Sequence, residues 1–377
     1  MTRHFSPPPD SILVCCMRAI GDVILATSLI GLLKAAWPET SIDVLVKHGT
    51  GEFLEKDPRV RHVLYSKANG GNRRGSRYFL QIFRRYDLAI NLNASDRGSI
   101  ATLLAGRRGR VGLYLPSKRL QSFWKKLFFT HPLEHPGRMH VARLGQLVAE
   151  ALGLPPVDRM ECKVFWDTEA ETEVVSVLDQ NEVDRPFFVV HPFAGRRYKY
   201  WRFERFTEVS DIIAERYGLQ PVWTSSPIKE EIKLLHEAAS KCRIRPAVLP
   251  GIFSLNQYAC LLSKASFYLG LDTANSHMAA ATETPMVVLF GPTPAEQWSP
   301  WNNNGPIAQQ CPAPRGRQKS GSMILLQKDW PCVACYKAGC DDSGQMESPC
   351  LTEIEIEEVL DAADELLQRR EIEVPRA

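Results

Sequence analysis

Residues 11–38 read SILVCCMRAIGDVILATSLIGLLKAAWP, and the fold is decided by this stretch. Ser11–Met17 is an unbroken run of aliphatic and sulfur-bearing side chains, the composition of a strand covered on both faces. Asp22–Ala36 then repeats apolar side chains at helical spacing, with Val23, Leu25, Leu29 and Leu32–Leu33 inward, until Pro38 stops it. Between them lies Arg18–Asp22, where Gly21 lacks a Cβ and so permits a tight strand-to-helix turn. The next strand, Ser41–Val46, completes a βαβ unit, which predicts a parallel sheet covered by helices.

Outward from that unit the alternation continues. A helix near Gly51–Lys56, a strand at Val60–Tyr65, a basic helix at Ser76–Arg84 and a strand at Leu88–Leu92 follow. A second series starts after Pro186. Its predicted strands are Phe187–His191, Gln220–Thr224, Ala247–Leu249, Ser266–Leu271 and Met286–Phe290. Its predicted helices are Phe203–Tyr217, Glu230–Lys241, Leu255–Lys264 and Ser276–Thr282. Two such series, joined near 165–186, predict an α/β protein of two doubly wound, Rossmann-like domains facing a central cleft. Ligands of such sheets bind beyond the carboxyl ends of the strands. The domains expected are 1–170 and 186–351, followed by a C-terminal helix within 352–370 whose apolar positions from Ile354 to Leu367 form one stripe.

The 377 residues carry a net charge of only +3, but the charge is unevenly placed. Residues 1–150 hold 23 Lys and Arg against 11 Asp and Glu, an excess of twelve positive charges, and the remainder has an excess of nine negative ones. A basic first half suits a phosphorylated substrate, a membrane surface or nucleic acid. No stretch reads as a secretory leader or a membrane span, so the expected location is cytoplasmic, or peripheral on the inner face of a membrane.

Chemistry concentrates in three loops after predicted strands. Gly21-Asp22 places a carboxylate at a helix N-terminus, where a plain N-cap is the simplest role. His191-Pro-Phe-Ala-Gly-Arg-Arg-Tyr-Lys-Tyr-Trp201 offers Gly195, Arg196, Arg197 and Lys199 to phosphates but matches neither the P-loop nor the dinucleotide fingerprint. Gly270-Leu-Asp-Thr-Ala-Asn-Ser-His277 ends a strand in Asp272 and opens a small-residue helix. Its free N–H groups and dipole suit a pyrophosphate.

Together these loops resemble the heptosyltransferase family of glycosyltransferases. The resemblance runs through ILVCCMRAIGDVILATSLIGLLKAAWP, YDLAINLNASDRGSIATLLAGRRGRVGL, HPFAGRRYKYWRFERF and LGLDTANSHMAAATETPMVVLFGPTPAEQWSPW, roughly residues 11–368. VGLYLPSKRLQSFWKKLFFTH and the RRYKYW segment look most like its heptosyltransferase III branch.

The resemblance implies a GT-B fold, with an acceptor-binding N-terminal domain and an ADP-heptose-binding C-terminal one. It further implies inverting transfer to a phosphorylated lipid A–core oligosaccharide at the inner membrane, with no cofactor or metal required for the chemistry. Asp22 then matches the base, and Lys199 the cation on the leaving diphosphate. Gly195, Arg196, Asp272, Thr273, Ala274, Asn275 and His277 match the donor site, and either Glu230 or Glu231 the ribose contact. Gly21, Arg73, Arg74, Lys118, Arg119, Lys125 and Lys126 are the candidate acceptor contacts. As a cleft carboxylate, Asp22 is expected to be exposed and ionised at neutral pH. The chain departs from several relatives in having Phe193-Ala194 where they carry phosphate-binding hydroxyls, and Ala274-Asn275 after Thr273.

Cys332, Cys335, Cys340 and Cys350 are spaced so as to permit a structural four-thiolate metal site, or to remain free thiols. Two other functions compete: transfer of another nucleotide sugar, such as a UDP-N-acetylhexosamine, and nucleic-acid binding. Against the second, no RNA- or DNA-binding motif is present.

Overall fold

In the computed structural model, residues 5–66 and 77–373 are described. The chain divides into two compact units, 1–165 and 166–377.

In the first unit, β1 (Ser11–Cys16), α1 (Ile20–Ala36), β2 (Ser41–Lys47), β3 (His62–Ser66), α2 (Arg77–Ile82) and β4 (Tyr86–Asn91) follow the predicted alternation. A further segment that the sequence pattern left unassigned adds α3 (Asp96–Ala105), β5 (Gly106–Tyr114), α4 (Arg119–Phe128), β6 (His131–Glu134) and α5 (Arg143–Ala151). The six strands are parallel, in the order β3-β2-β1-β4-β5-β6. Strand order reverses direction between β1 and β4, and such a switch point leaves a crevice at the carboxyl ends. The Arg18–Asp22 turn opens there. From Leu13 to Cys15 the β1 side chains are fully buried, which is why this strand reads as continuous apolar sequence.

The second unit begins with α6 (Thr168–Gln180), N-capped by Asp167, whose side chain accepts from the Ala170 N–H at 3.0 Å. The second unit thus takes in residues 166–185, which lie at the join between the two expected domains. Then come β7 (Phe187–His191), α7 (Phe203–Tyr217), β8 (Gln220–Ser225), α8 (Lys229–Ala239), β9 (Ala247–Pro250), α9 (Leu255–Lys264), β10 (Phe267–Leu271), α10 (Ala274–Ala281), β11 (Met286–Leu289) and α11 (Ala295–Trp298). The chain ends in β12 (Gln318–Ser320), β13 (Met323–Leu326), α12 (Pro349–Thr352) and α13 (Ile356–Glu373). The sheet order is β12-β13-β11-β10-β7-β8-β9, parallel except for β12 against β13. Its switch point lies between β7 and β10, so both donor-type loops emerge side by side.

The C-terminal helix belongs to this second unit. Val359, Leu360, Ala363 and Leu366–Leu367 of α13 join the core that contains Phe206, Val209 and Ile213 of α7. Trp201 Nε1 donates to the Ile354 carbonyl at 2.9 Å, and Tyr217 Oη to Asp364 at 2.6 Å. No helix among the described residues is long and apolar enough to cross a membrane.

Candidate active site

In the first unit, α1 starts at Ile20, so Asp22 lies inside the first helical turn. Ala19 occupies the N-cap position and makes no side-chain capping bond, while the Asp22 carboxylate bonds back to the Ala19 backbone. Asp22 is therefore not the plain N-cap that its position allowed. Nor is it exposed: only 9% of its surface reaches solvent. Burial raises its pKa above the ordinary carboxylate value, with the Arg18 guanidinium opposing that shift from 2.9 Å. This corrects the expectation of an exposed carboxylate. A carboxylate held this way is a stronger base than a solvated one. His135, just beyond β6, is kept neutral to lower pH by burial and then by the Arg18 charge. Gly21 is buried in the same turn.

In the second unit the Gly195–Lys199 loop follows β7 and ends in a 3₁₀ turn, Arg197–Lys199. Gly195, Arg196 and Arg197 are exposed, whereas Phe193 and Ala194 are buried. Phe193 packs edge-on against Tyr200 at 6.2 Å and tilted against Phe203 at 5.5 Å. Phe193 is thus a core aromatic that anchors the loop and offers no hydroxyl to a phosphate.

Lys199 does not project freely. Its Nζ lies 2.5 Å from Asp272 Oδ2 at the end of β10. Asp272 is buried, so the two groups expected to meet different parts of a donor are in contact with each other. Thr273 then occupies the N-cap position of α10 without a side-chain capping bond, leaving the first-turn N–H groups uncapped from that side. His277, one turn along, is buried, and its Nδ1 has no hydrogen-bond partner. Burial lowers its pKa to about 4, Asp272 opposing the shift and Lys199 adding to it. A cation, a carboxylate, a neutral imidazole and a helix N-terminus therefore share one locality.

Asn275 is held by residues the motif reading did not single out. Its Nδ2 donates to His191 Nε2 at 2.6 Å, and His191 Nδ1 is 3.0 Å from Thr224 Oγ1, which is in turn 3.1 Å from Tyr258 Oη. Burial lowers the His191 pKa to about 3, so the ring is neutral and carries one proton. The Asn275 amide nitrogen can only donate, so Nε2 is the bare nitrogen and Nδ1–H donates to Thr224. The Asn275 carbonyl is left as the accepting end of the amide. The only trace of this relay in the sequence was the histidine closing β7.

Glu230 and Glu231 are distinguished by their surroundings. Glu230 is exposed, whereas buried Glu231 accepts from the Ser226 N–H at 3.0 Å and from Ser226 Oγ at 2.5 Å. Among the candidate acceptor contacts, Arg73 and Arg74 lie outside the described residues. Lys118, Arg119 and Lys126 are exposed, with Lys126 Nζ 4.5 Å from the Tyr114 ring centre. Lys125 is different: 1% exposed, it donates to the Ala94 carbonyl at 2.6 Å and pairs with Asp96 at 3.3 Å. This lysine anchors α4 and is not placed to meet a ligand, a correction to the expectation.

Cys332, Cys335 and Cys340 are exposed and Cys350 is buried, all as free thiols. Burial, and then the neighbouring Cys340, Cys335 and Cys332, push the Cys350 thiol up to about 12. Among the described residues no three His, Cys, Asp or Glu side chains are gathered as a metal requires.

Two doubly wound units, each with polar groups at its switch point, give the chain the GT-B fold shared by many nucleotide-sugar glycosyltransferases. Residues 79–322 match the model of glycosyltransferase family 9 (heptosyltransferase), and the chain belongs to that family. It is 30% identical over 297 residues to lipopolysaccharide heptosyltransferase 3 of Escherichia coli, covering 76% of this chain and 85% of that one. It is 23% identical to the lipopolysaccharide core heptosyltransferase OpsX of Haemophilus influenzae, covering 79% and 84%. Among solved structures, the family 9 glycosyltransferase of Veillonella parvula superposes with a TM-score of 0.77 at 19% identity, covering 98% and 99%. The ADP-heptose lipopolysaccharide heptosyltransferase II of Escherichia coli gives 0.70 at 19% identity, covering 96% and 99%.

Proposed function

We propose that this chain transfers heptose from ADP-heptose to a phosphorylated lipid A–core acceptor, in the manner of heptosyltransferase III, by an inverting displacement whose chemistry needs no metal. The N-terminal unit takes the acceptor and the C-terminal unit the donor. Asp22 removes the acceptor hydroxyl proton as that oxygen attacks the anomeric carbon. The bond from that carbon to the diphosphate breaks, and its electron pair leaves on ADP.

The observation that carries this reading is the Lys199–Asp272 pair at the head of α10. Lys199 and the helix N-terminus supply positive charge where negative charge grows on the leaving group. Asp272 aims the ammonium, and Glu231 and the Asn275 carbonyl accept from donor hydroxyls. Lys118, Arg119 and Lys126 meet acceptor phosphates at the inner face of the inner membrane. The names of the curated relatives support the substrate class.

Purified protein is assayed with ADP-heptose and with UDP-N-acetylglucosamine against a panel of truncated lipid cores, following nucleotide release and the acceptor's mass gain. A heptose increment with ADP release is expected. Turnover of the UDP-sugar alone would contradict the donor assignment.

A further inference from the structure

Helix α4 is built the reverse of an ordinary surface helix. Its inward side is polar: Ser122 Oγ donates to the Leu115 carbonyl at 2.5 Å, and the Lys125 ammonium reaches the Ala94 carbonyl and Asp96. Its outward side carries Leu120, Phe123 and Leu127, which are 84%, 69% and 66% exposed. These three recur at i, i+3 and i+7 and so share one narrow face. Neighbouring Phe128 is exposed too. Ordinary folding buries such side chains inward, and here they are held in solvent while polar anchors face the fold. Exposed Lys118, Arg119 and Lys126 flank the ridge, and Arg119–Phe128 contains no acidic residue.

We propose that α4 is a membrane-docking helix whose Leu120, Phe123 and Leu127 enter the surface of an anionic lipid bilayer while Lys118, Arg119 and Lys126 engage lipid phosphates. At ten residues it extends about 15 Å, too short to span and suited to lying in the interface. The charge pattern favours this occupant. Apolar side chains reach the acyl boundary while the long cationic side chains snorkel to the headgroups. A second copy of the helix laid against this face would bring Lys118, Arg119 and Lys126 against their own like charges. The inference goes beyond the transfer reaction and can be tested without donor or acceptor.

The full-length protein is sedimented with vesicles of phosphatidylcholine plus phosphatidylglycerol and with vesicles of phosphatidylcholine alone. Wild type is expected to sediment with the anionic vesicles. The triple variant Leu120→Ser, Phe123→Ser, Leu127→Ser should lose about tenfold or more of that binding. Lys118→Gln, Arg119→Gln, Lys126→Gln should weaken binding to anionic vesicles, as should added salt. Circular dichroism checks that each variant is folded. With a soluble, de-acylated acceptor the triple serine variant should turn over as wild type does, which separates docking from catalysis. Wild type remaining in the supernatant with anionic vesicles would overturn the proposal. So would undiminished binding by the folded triple variant, or a wild-type dimer that this variant dissociates. Loss of heptose transfer by wild type itself would instead strike the proposed reaction and leave docking standing.

Discussion

Lys199 Nζ and Asp272 Oδ2 lie 2.5 Å apart, joining the loop after β7 to the end of β10 across the switch point of the second sheet. Asp272 is buried and Lys199 only partly exposed, so removing the ammonium leaves a desolvated carboxylate without its partner. Lys199→Met should therefore cost about 2 kcal/mol of stability or more, besides weakening ADP binding and turnover. Adding Asp272→Asn to that variant should restore much of the stability and none of the turnover. Urea unfolding of the two single variants and the double variant checks this, and additive losses would show that the pair is not coupled.

The raised pKa of Asp22 sets a direction for the pH profile. A base whose pKa lies above the ordinary carboxylate range loses turnover as pH falls through that raised value. The acid limb of kcat should therefore stand at higher pH than a solvated aspartate would give. Burial is the larger cause and Arg18 opposes it, so Arg18→Ala should move the limb higher still. A limb unmoved or lowered in Arg18→Ala would remove Arg18 from that role.

The His191–Asn275 relay predicts donor effects without acceptor effects. Asn275→Leu leaves His191 Nε2 unpaired and should raise the donor KM by roughly tenfold, with acceptor KM unchanged. His191 and His277 have pKa values lowered to about 3 and about 4, so both stay neutral above pH 5. The imidazole resonances of these two residues, followed by NMR, should accordingly show no titration between pH 5.5 and 8. A titration of either ring centred near pH 6.5 would mean that the ring is solvated.

Adjacent lysines on α4 should behave in opposite ways. Lys125→Met breaks buried contacts to Ala94 and Asp96 and should destabilise the fold by about 2 kcal/mol. Lys126→Glu sits on the exposed side and should leave the unfolding midpoint within about 0.5 kcal/mol while raising acceptor KM. Equal stability losses at both positions would contradict the orientation of α4.

What the sequence disclosed follows from how each signal is encoded. Strands β1, β7, β10 and β11 are covered on both faces, so each reads as a short apolar run that local pattern alone reveals. Strand β5 is not legible in the sequence, because Gly106–Arg110 opens it with two glycines and three arginines, and an edgeward strand needs less apolar sequence. Helix α4 could not be oriented from periodicity, because its apolar face points outward and a lysine points in. The relay behind Asn275 draws Thr224 from β8 and Tyr258 from α9, far from His191 in sequence and joined to it only by the sheet order. Burial of Asp22 likewise comes from packing around the turn, which Gly21-Asp22 does not encode.

In the proposed reaction Asp22 is the base of a heptosyl transfer, and every other assignment is built around that role. Its most direct test is single-turnover transfer of heptose from ADP-heptose to the lipid A–core acceptor by Asp22→Asn protein, with ADP binding measured on the same sample. The expected rate is about 10²–10⁴-fold below wild type, with ADP affinity unchanged. A near wild-type rate with ADP binding intact would contradict it and reduce Asp22 to a structural residue of the first turn of α1.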